Sequence, residues 1–181
     1  MPIFVALMRG INVGKAKRIP MAELRALLEE LGYTNVATLL NSGNAVFRSA
    51  KGTPASHAKQ IAAAIASRMG FDVPVVVKSA KELAAIVAEN PLAKAAANHS
   101  QLLTVFAQDH KTLTGLSTIA TLIQPPEQFV VGDNAAYLHC AAGILESKAG
   151  EALLGKAGKS VTTRNWATVL KLQALVDESK T

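Results

Sequence analysis

The spacing of chain breakers between short apolar runs restricts this protein more than any other feature of its sequence. Ile3 to Met8 is an apolar run of β-strand length, ended by Gly10. A loop rich in Gly and Lys leads to Ile19, and Pro20 suits the first turn of a helix, where a missing N–H leaves no bond unmade. Leu24, Leu27, Leu28 and Leu31 keep the i, i+3, i+4, i+7 spacing of one buried helix face, and Gly32 supplies the stop. Residues 35–40 and 45–48 read as two strands joined by Asn41-Ser42-Gly43-Asn44, a turn-forming cluster. Residues 55–69 predict a second helix with Ile61, Ile65 and Met69 on one side. Residues 73–78 predict a β-branched strand that Pro74 puts at a sheet edge or a strand start. The order β-α-β-β-α-β is that of the ferredoxin-like plait, in which two helices cover one face of an antiparallel sheet.

The second half repeats the order without visible sequence identity. Residues 102–107 read as a strand, 112–122 as a helix, and 128–132 with 136–140 as a hairpin around Asp133-Asn134. Helices follow at 147–154 and 166–176, with a short strand near 160–162. The expected fold class is therefore α+β, with two tandem ferredoxin-like antiparallel plaits. The expected domains are residues 1–78, a connecting helix and linker over 79–100 (its helix at 80–89), and a second plait with a C-terminal helix over 101–181.

Half of the 181 residues are apolar, which supports packed cores and excludes a disordered chain. No apolar run approaches the ~18–20 residues of a membrane span, and residues 3–8 are too short for a signal-peptide core. One cysteine makes neither a disulfide framework nor a zinc site. The expectation is a soluble, cytoplasmic protein with no membrane partner. The net charge of +6 is uneven: residues 1–90 carry +5 and residues 91–181 carry +1. Arg9, Lys15, Lys17 and Arg18 fall within ten residues with no acid among them. A second basic cluster, Lys148, Lys156, Lys159, Arg164 and Lys171, is relieved only by Glu151. Such clusters suit phosphate-bearing partners or a solvated surface.

Several chemistries find no support. Cys140 and His139 are neighbours in a strand and point to opposite faces, so they form no nucleophile–base pair, and Cys140 reads as core. Ser42 lacks the flanking glycines of a hydrolase elbow. His57, His99, His110 and His139 show no metal-ligand spacing and read as surface or structural residues. Carboxylates are too sparse for a two-carboxylate mechanism. No metal and no cofactor is expected.

Three polar elements remain. The first, Arg9-Gly10-Ile11-Asn12-Val13-Gly14-Lys15, runs on to Lys17 and Arg18 and resembles a phosphate cradle in outline. It is no P-loop, since only three residues separate the glycines and Ala16 stands where the Mg²⁺-binding hydroxyl belongs. The second is the 41–44 turn, whose Ser42 hydroxyl and Asn44 amide are candidate ligand contacts. An RNA-recognition motif would carry stacking aromatics on this third strand, but Asn44 and Val46 occupy those positions. The third is Thr162-Thr163-Arg164-Asn165-Trp166, where a threonine cap, free amides, the helix dipole and an arginine suit an oxyanion. Trp166 itself reads as core.

Together these elements resemble a bacterial family of uncharacterised proteins, a domain of unknown function, along nearly the whole chain. Its members carry RGINVGG, PM-x-x-L, an SGN turn and TTRNWNTV. The matching positions here are residues 9–14, Pro20-Met21, Ser42-Gly43-Asn44 and 162–166 with Thr168-Val169, while Lys15 and Ala167 depart from the pattern. The resemblance implies a two-part α+β fold and a common site for the three elements; it implies no activity. The expected anion- or phosphate-binding residues are Arg9, Asn12, Lys15, Lys17, Arg18, Ser42, Asn44, Thr162, Thr163, Arg164 and Asn165. The first functional expectation is a binder of phosphate-containing ligands, nucleic acid among them. An enzyme acting on a small anionic metabolite, and a structural or assembly module, are the alternatives.

Overall fold

In the computed structural model, which describes residues 1–181, the opening apolar run is strand β1 (Ile3–Met8). It is followed by α1 (Met21–Glu30), β2 (Thr34–Leu39), β3 (Asn44–Arg48), α2 (Pro54–Met69), β4 (Val75–Ser79) and α3 (Ala80–Glu89). The sheet order is β2-β3-β1-β4 with every pairing antiparallel, which is the ferredoxin-like plait. Pro74 cannot donate to a ladder, so β4 starts at Val75 rather than at residue 73, and it is an edge strand.

The second plait comprises β5 (Leu102–Ala107), α4 (His110–Thr114), β6 (Gln128–Val131), β7 (Ala136–His139), α5 (Lys148–Leu154) and β8 (Val161–Asn165), followed by α6 (Trp166–Glu178). Its order, β6-β7-β5-β8, repeats the first plait, again fully antiparallel. The chain divides into two compact units, residues 1–83 with 172–181 and residues 84–171, so the division falls within α3 and α6. Arg48 Nη2 donates to the Ser179 carbonyl inside the first unit.

One expected helix is broken. In place of a single α-helix over 112–122, α4 ends at Thr114 and a 3₁₀ stretch covers Gly115–Leu122. Asp109 starts α4 by accepting from the Thr112 N–H at 2.7 Å. Gly115 and the β-branched Thr118, Ile119 and Thr121 then weaken α-helix. The hydroxyls of Thr114, Thr118 and Thr121 each donate to the carbonyl three residues back, which suits the tighter turn.

Each unit has a core between one sheet face and its helices. In the first, Phe4, Ala6, Met8, Ala45, Phe47 and Val77 pack with Leu24, Leu28, Ile61 and Ile65. In the second, Leu103, Val105, Ala136, Leu138 and Val161 pack with Leu113, Ile119, Ala149 and Leu153. The opposite sheet faces are buried as well. Val5, Leu7, Asn44, Val46, Val76 and Lys78 of the first are inaccessible or nearly so, as are Leu102, Thr104, Phe106, Tyr137, Thr162 and Arg164 of the second. The central strands IFVALM and LLTVFA, buried on both faces, accordingly read as apolar runs, the second broken only by Thr104, rather than as alternations.

Candidate functional site

The basic loop is a folded structure pinned at both ends. Ile11 and Ile19 are buried in the core of the first unit, while Val13, Gly14, Lys15, Ala16, Lys17 and Arg18 between them are exposed. Asn12 closes the loop. Its Nδ2 donates to the Ile19 carbonyl at 2.9 Å and to the Asn41 carbonyl at 2.7 Å, and its Oδ1 accepts from the Ile19 N–H at 2.8 Å. The Asn12 backbone N–H donates to the Lys17 carbonyl at 3.1 Å. Its φ of 56° is left-handed, a conformation that asparagine adopts more readily than most side chains.

This clamp decides how the cations are displayed. Arg18 Nη1 donates to the carbonyls of Asn12 at 3.3 Å and Gly14 at 3.1 Å, and Lys17 Nζ to the carbonyl of Asp72 at 2.8 Å. Arg9 is half-buried at the end of β1, and burial lowers its pKa from the usual arginine value. Asn12, Arg18, Ile19, Pro20 and Asn41 line one pocket of about 300 Å³. Pro20 is the N-cap of α1 and supplies no side-chain cap bond, so the pocket adjoins an uncapped helix start. In sequence, the residues between Gly14 and the helix separate the loop from the helix dipole. The fold removes that separation by bonding Asn12 to Ile19.

The 41–44 turn meets the loop through the Asn41 carbonyl, and Met8 N–H donates to the Gly43 carbonyl at 2.9 Å. Gly43 has φ 92°, and a Cβ there would lie 2.7 Å from Ile11 Cδ1, so both backbone and packing demand glycine. Asn44 begins β3 and is fully buried, with its Nδ2 donating to the Leu39 carbonyl at 2.8 Å and to Ser42 Oγ at 2.9 Å. Ser42 is exposed. With Asn44 and Val46 both buried, this strand offers no open platform on which a base could stack.

The third element belongs to the second unit and is largely strand. Thr162, Thr163, Arg164 and Asn165 lie in β8. The cap of α6 is Asn165 rather than a threonine, with its Oδ1 accepting from the Thr168 N–H at 2.9 Å. The reason is the β-ladder: Thr162, Thr163 and Arg164 pair with Phe106, Val105 and Thr104, which leaves Asn165 as the residue before the first helical turn. Arg164 is 8% exposed, and its Nη1 donates to Thr162 Oγ1 at 2.7 Å and to the Thr163 carbonyl at 2.8 Å. Burial pushes its pKa down to about 10, so it stays cationic at neutral pH.

Two other residues complete the chemical inventory. Cys140 is fully buried in the second core, and burial raises its thiol pKa. Trp166 is buried, with 4% exposure. No group of three or more His, Cys, Asp or Glu is gathered as a metal would need, and no helix is long and apolar enough to cross a membrane.

A protein family described as "Protein of unknown function (DUF1697)" matches residues 1–137. The chain belongs to this family. The matched stretch contains the basic loop and the Ser42-Gly43-Asn44 turn. Among solved structures, one described as the structure of conserved bacterial protein SP0830 from Streptococcus pneumoniae is similar, with a TM-score of 0.80 at 23% identity. The similarity covers 96% of this chain and 97% of that one, so the paired-plait fold is common to both. No curated protein matches the sequence.

Sequence reasoning passed over Ile19, Pro20 and Asn41 as pocket-forming residues, because all three act through backbone or position. It also passed over the setting of His57, which is buried on the apolar side of α2. The spacing of His57, Ile61 and Ile65 along that helix is the signal that could have placed it there.

Proposed function

We propose that this protein binds phosphate-containing ligands at the basic loop of residues 9–18. The observation that carries this reading is the Asn12 clamp. It puts Arg18 at a pocket of about 300 Å³ next to the uncapped start of α1, while Lys15 and Lys17 are exposed on the same loop. Exposed cations, backbone N–H groups without a side-chain cap and the positive end of a helix all favour an anion there. The pocket is at the small end of the range for ligand sites, which suits one phosphate ester better than an extended chain. Burial of Asn44 and Val46 weighs against stacked nucleic-acid bases. The reading therefore rests on the loop, with Lys15, Lys17 and Arg18 as phosphate contacts.

The test is a calorimetric titration of inorganic phosphate, a nucleoside monophosphate and a single-stranded oligonucleotide, at several salt concentrations from about 50 mM upward. The wild type is compared with the Lys15→Ala, Lys17→Ala, Arg18→Ala triple variant. The expected result is binding of the monophosphate by the wild type, weakened roughly tenfold or more in the triple variant, with about one unit of salt slope lost per contact. Equal affinity in the triple variant, or no binding of any of the three by the wild type at about 50 mM salt, refutes the reading. Tighter binding of the oligonucleotide than of the monophosphate would assign the loop to nucleic acid.

A further inference from the structure

Two exposed apolar residues flank the pocket of the basic loop. Val13 is 73% exposed and Leu40 49%, and in the first unit only Met1 is another large apolar residue exposed to this degree. Val13 follows Asn12 in the chain and Leu40 precedes Asn41. These two asparagines both line the pocket, joined by the Asn12 Nδ2 bond to the Asn41 carbonyl at 2.7 Å. The backbone fixes both positions. Val13 is held between left-handed Asn12 and Gly14, at φ 56° and 67°. Leu40 links β2 to β3 at φ 59°, a conformation that glycine or asparagine adopts at less cost than leucine. The hairpin needs a left-handed residue there, but nothing in the hairpin needs a leucine.

The polar groups of the pocket are few. Asn12 spends both Nδ2 protons on the Ile19 and Asn41 carbonyls, and its Oδ1 accepts from the Ile19 N–H. Ile19 and Pro20 have no polar side-chain atom. Arg18 spends Nη1 on the Asn12 and Gly14 carbonyls, which leaves Nε and Nη2 for an oxyanion. Beyond the guanidinium, only the Asn41 carboxamide among the lining side chains has donor protons to offer. A polyhydroxylated ester would leave hydroxyls without partners as it lost water, whereas an apolar group would cover Val13 and Leu40. We propose that the ligand of this pocket is a phosphate ester of a phenol or an apolar alcohol, with its organic group against Val13 and Leu40. The inference rests on the basic loop being a phosphate site, and it adds the part of the ligand that the cations do not select.

The test is calorimetric titration at pH 8 with inorganic phosphate, phenyl phosphate and glycerol 3-phosphate, on the wild type and on a Val13→Thr, Leu40→Asn double variant. Threonine keeps the shape of valine and asparagine accepts the left-handed backbone, so the variant should fold, which thermal unfolding followed by circular dichroism checks. Covering about 60 Å² of apolar surface corresponds to a preference of roughly tenfold for phenyl phosphate over glycerol 3-phosphate in the wild type. In the double variant the preference should shrink to about threefold or less, with the affinity for inorganic phosphate unchanged. Equal affinity for the two esters in the wild type overturns the inference, as does a preference fully retained by the double variant. So does a loss of inorganic phosphate affinity in that variant equal to its loss for phenyl phosphate. All three results leave the phosphate reading standing. No binding of any of the three probes by the wild type refutes the phosphate reading and this inference with it.

Discussion

Replacing Asn12 by alanine removes three hydrogen bonds and leaves an alanine at φ 56°. The two bonds to Ile19 are partly buried and stabilise by about 1 kcal/mol each, while the exposed bond to the Asn41 carbonyl contributes less. A left-handed alanine adds a strain of about 1 kcal/mol. The total loss is about 3 kcal/mol, which lowers Tm by roughly 6–12 °C in a protein of this length. Asn12→Gly loses the same bonds but tolerates the backbone, so it should recover about 1 kcal/mol relative to alanine. Urea denaturation followed by circular dichroism measures both. A cost below about 0.5 kcal/mol for Asn12→Ala would refute the clamp as the element that holds the loop to α1. Indistinguishable alanine and glycine variants would refute the backbone share alone. Phosphate titration of Asn12→Gly gives a second readout, because freeing the loop should weaken binding while every cation is retained.

Glu89 at the end of α3 offers another test. Its carboxylate accepts from Asp133 N–H at 2.5 Å, Asn134 N–H at 3.1 Å and Tyr137 OH at 2.6 Å, so Glu89→Ala should destabilise by about 1.5–3 kcal/mol in urea denaturation, the range for hydrogen bonds to a charged group. A cost near zero would mean that solvent replaces those bonds. Cys140, fully buried and with its thiol pKa raised by burial, should react with an aromatic disulfide reagent at pH 8 roughly a hundredfold more slowly in the folded than in the unfolded protein. Comparable rates would place the thiol at the surface.

The order of strands and helices was written in the sequence because it depends on local rules. Pro20, the leucine spacing of α1, Gly32 and the 41–44 turn each act within a few residues, and they lead to the antiparallel plait found. The three-residue hydroxyl bonds of 114–121 are local too, but Ser and Thr hydroxyls also bond back to carbonyls inside α-helices, so the break after Thr114 was not legible. What only the tertiary structure decided is which polar side chains remain available. Asn44 and Arg164 look alike in sequence to surface ligand contacts, yet both are buried, because pairing in the sheet sets which face a residue joins. The sequence determines the period-2 alternation along a strand, but burial of the second face depends on what packs there. Asn12 and Asn41 lie far apart in the chain, and no local pattern announces that the Asn12 amide joins the basic loop to the 41–44 turn. Local propensity therefore determined the elements of this protein, whereas long-range pairing decided where its exposed cations stand.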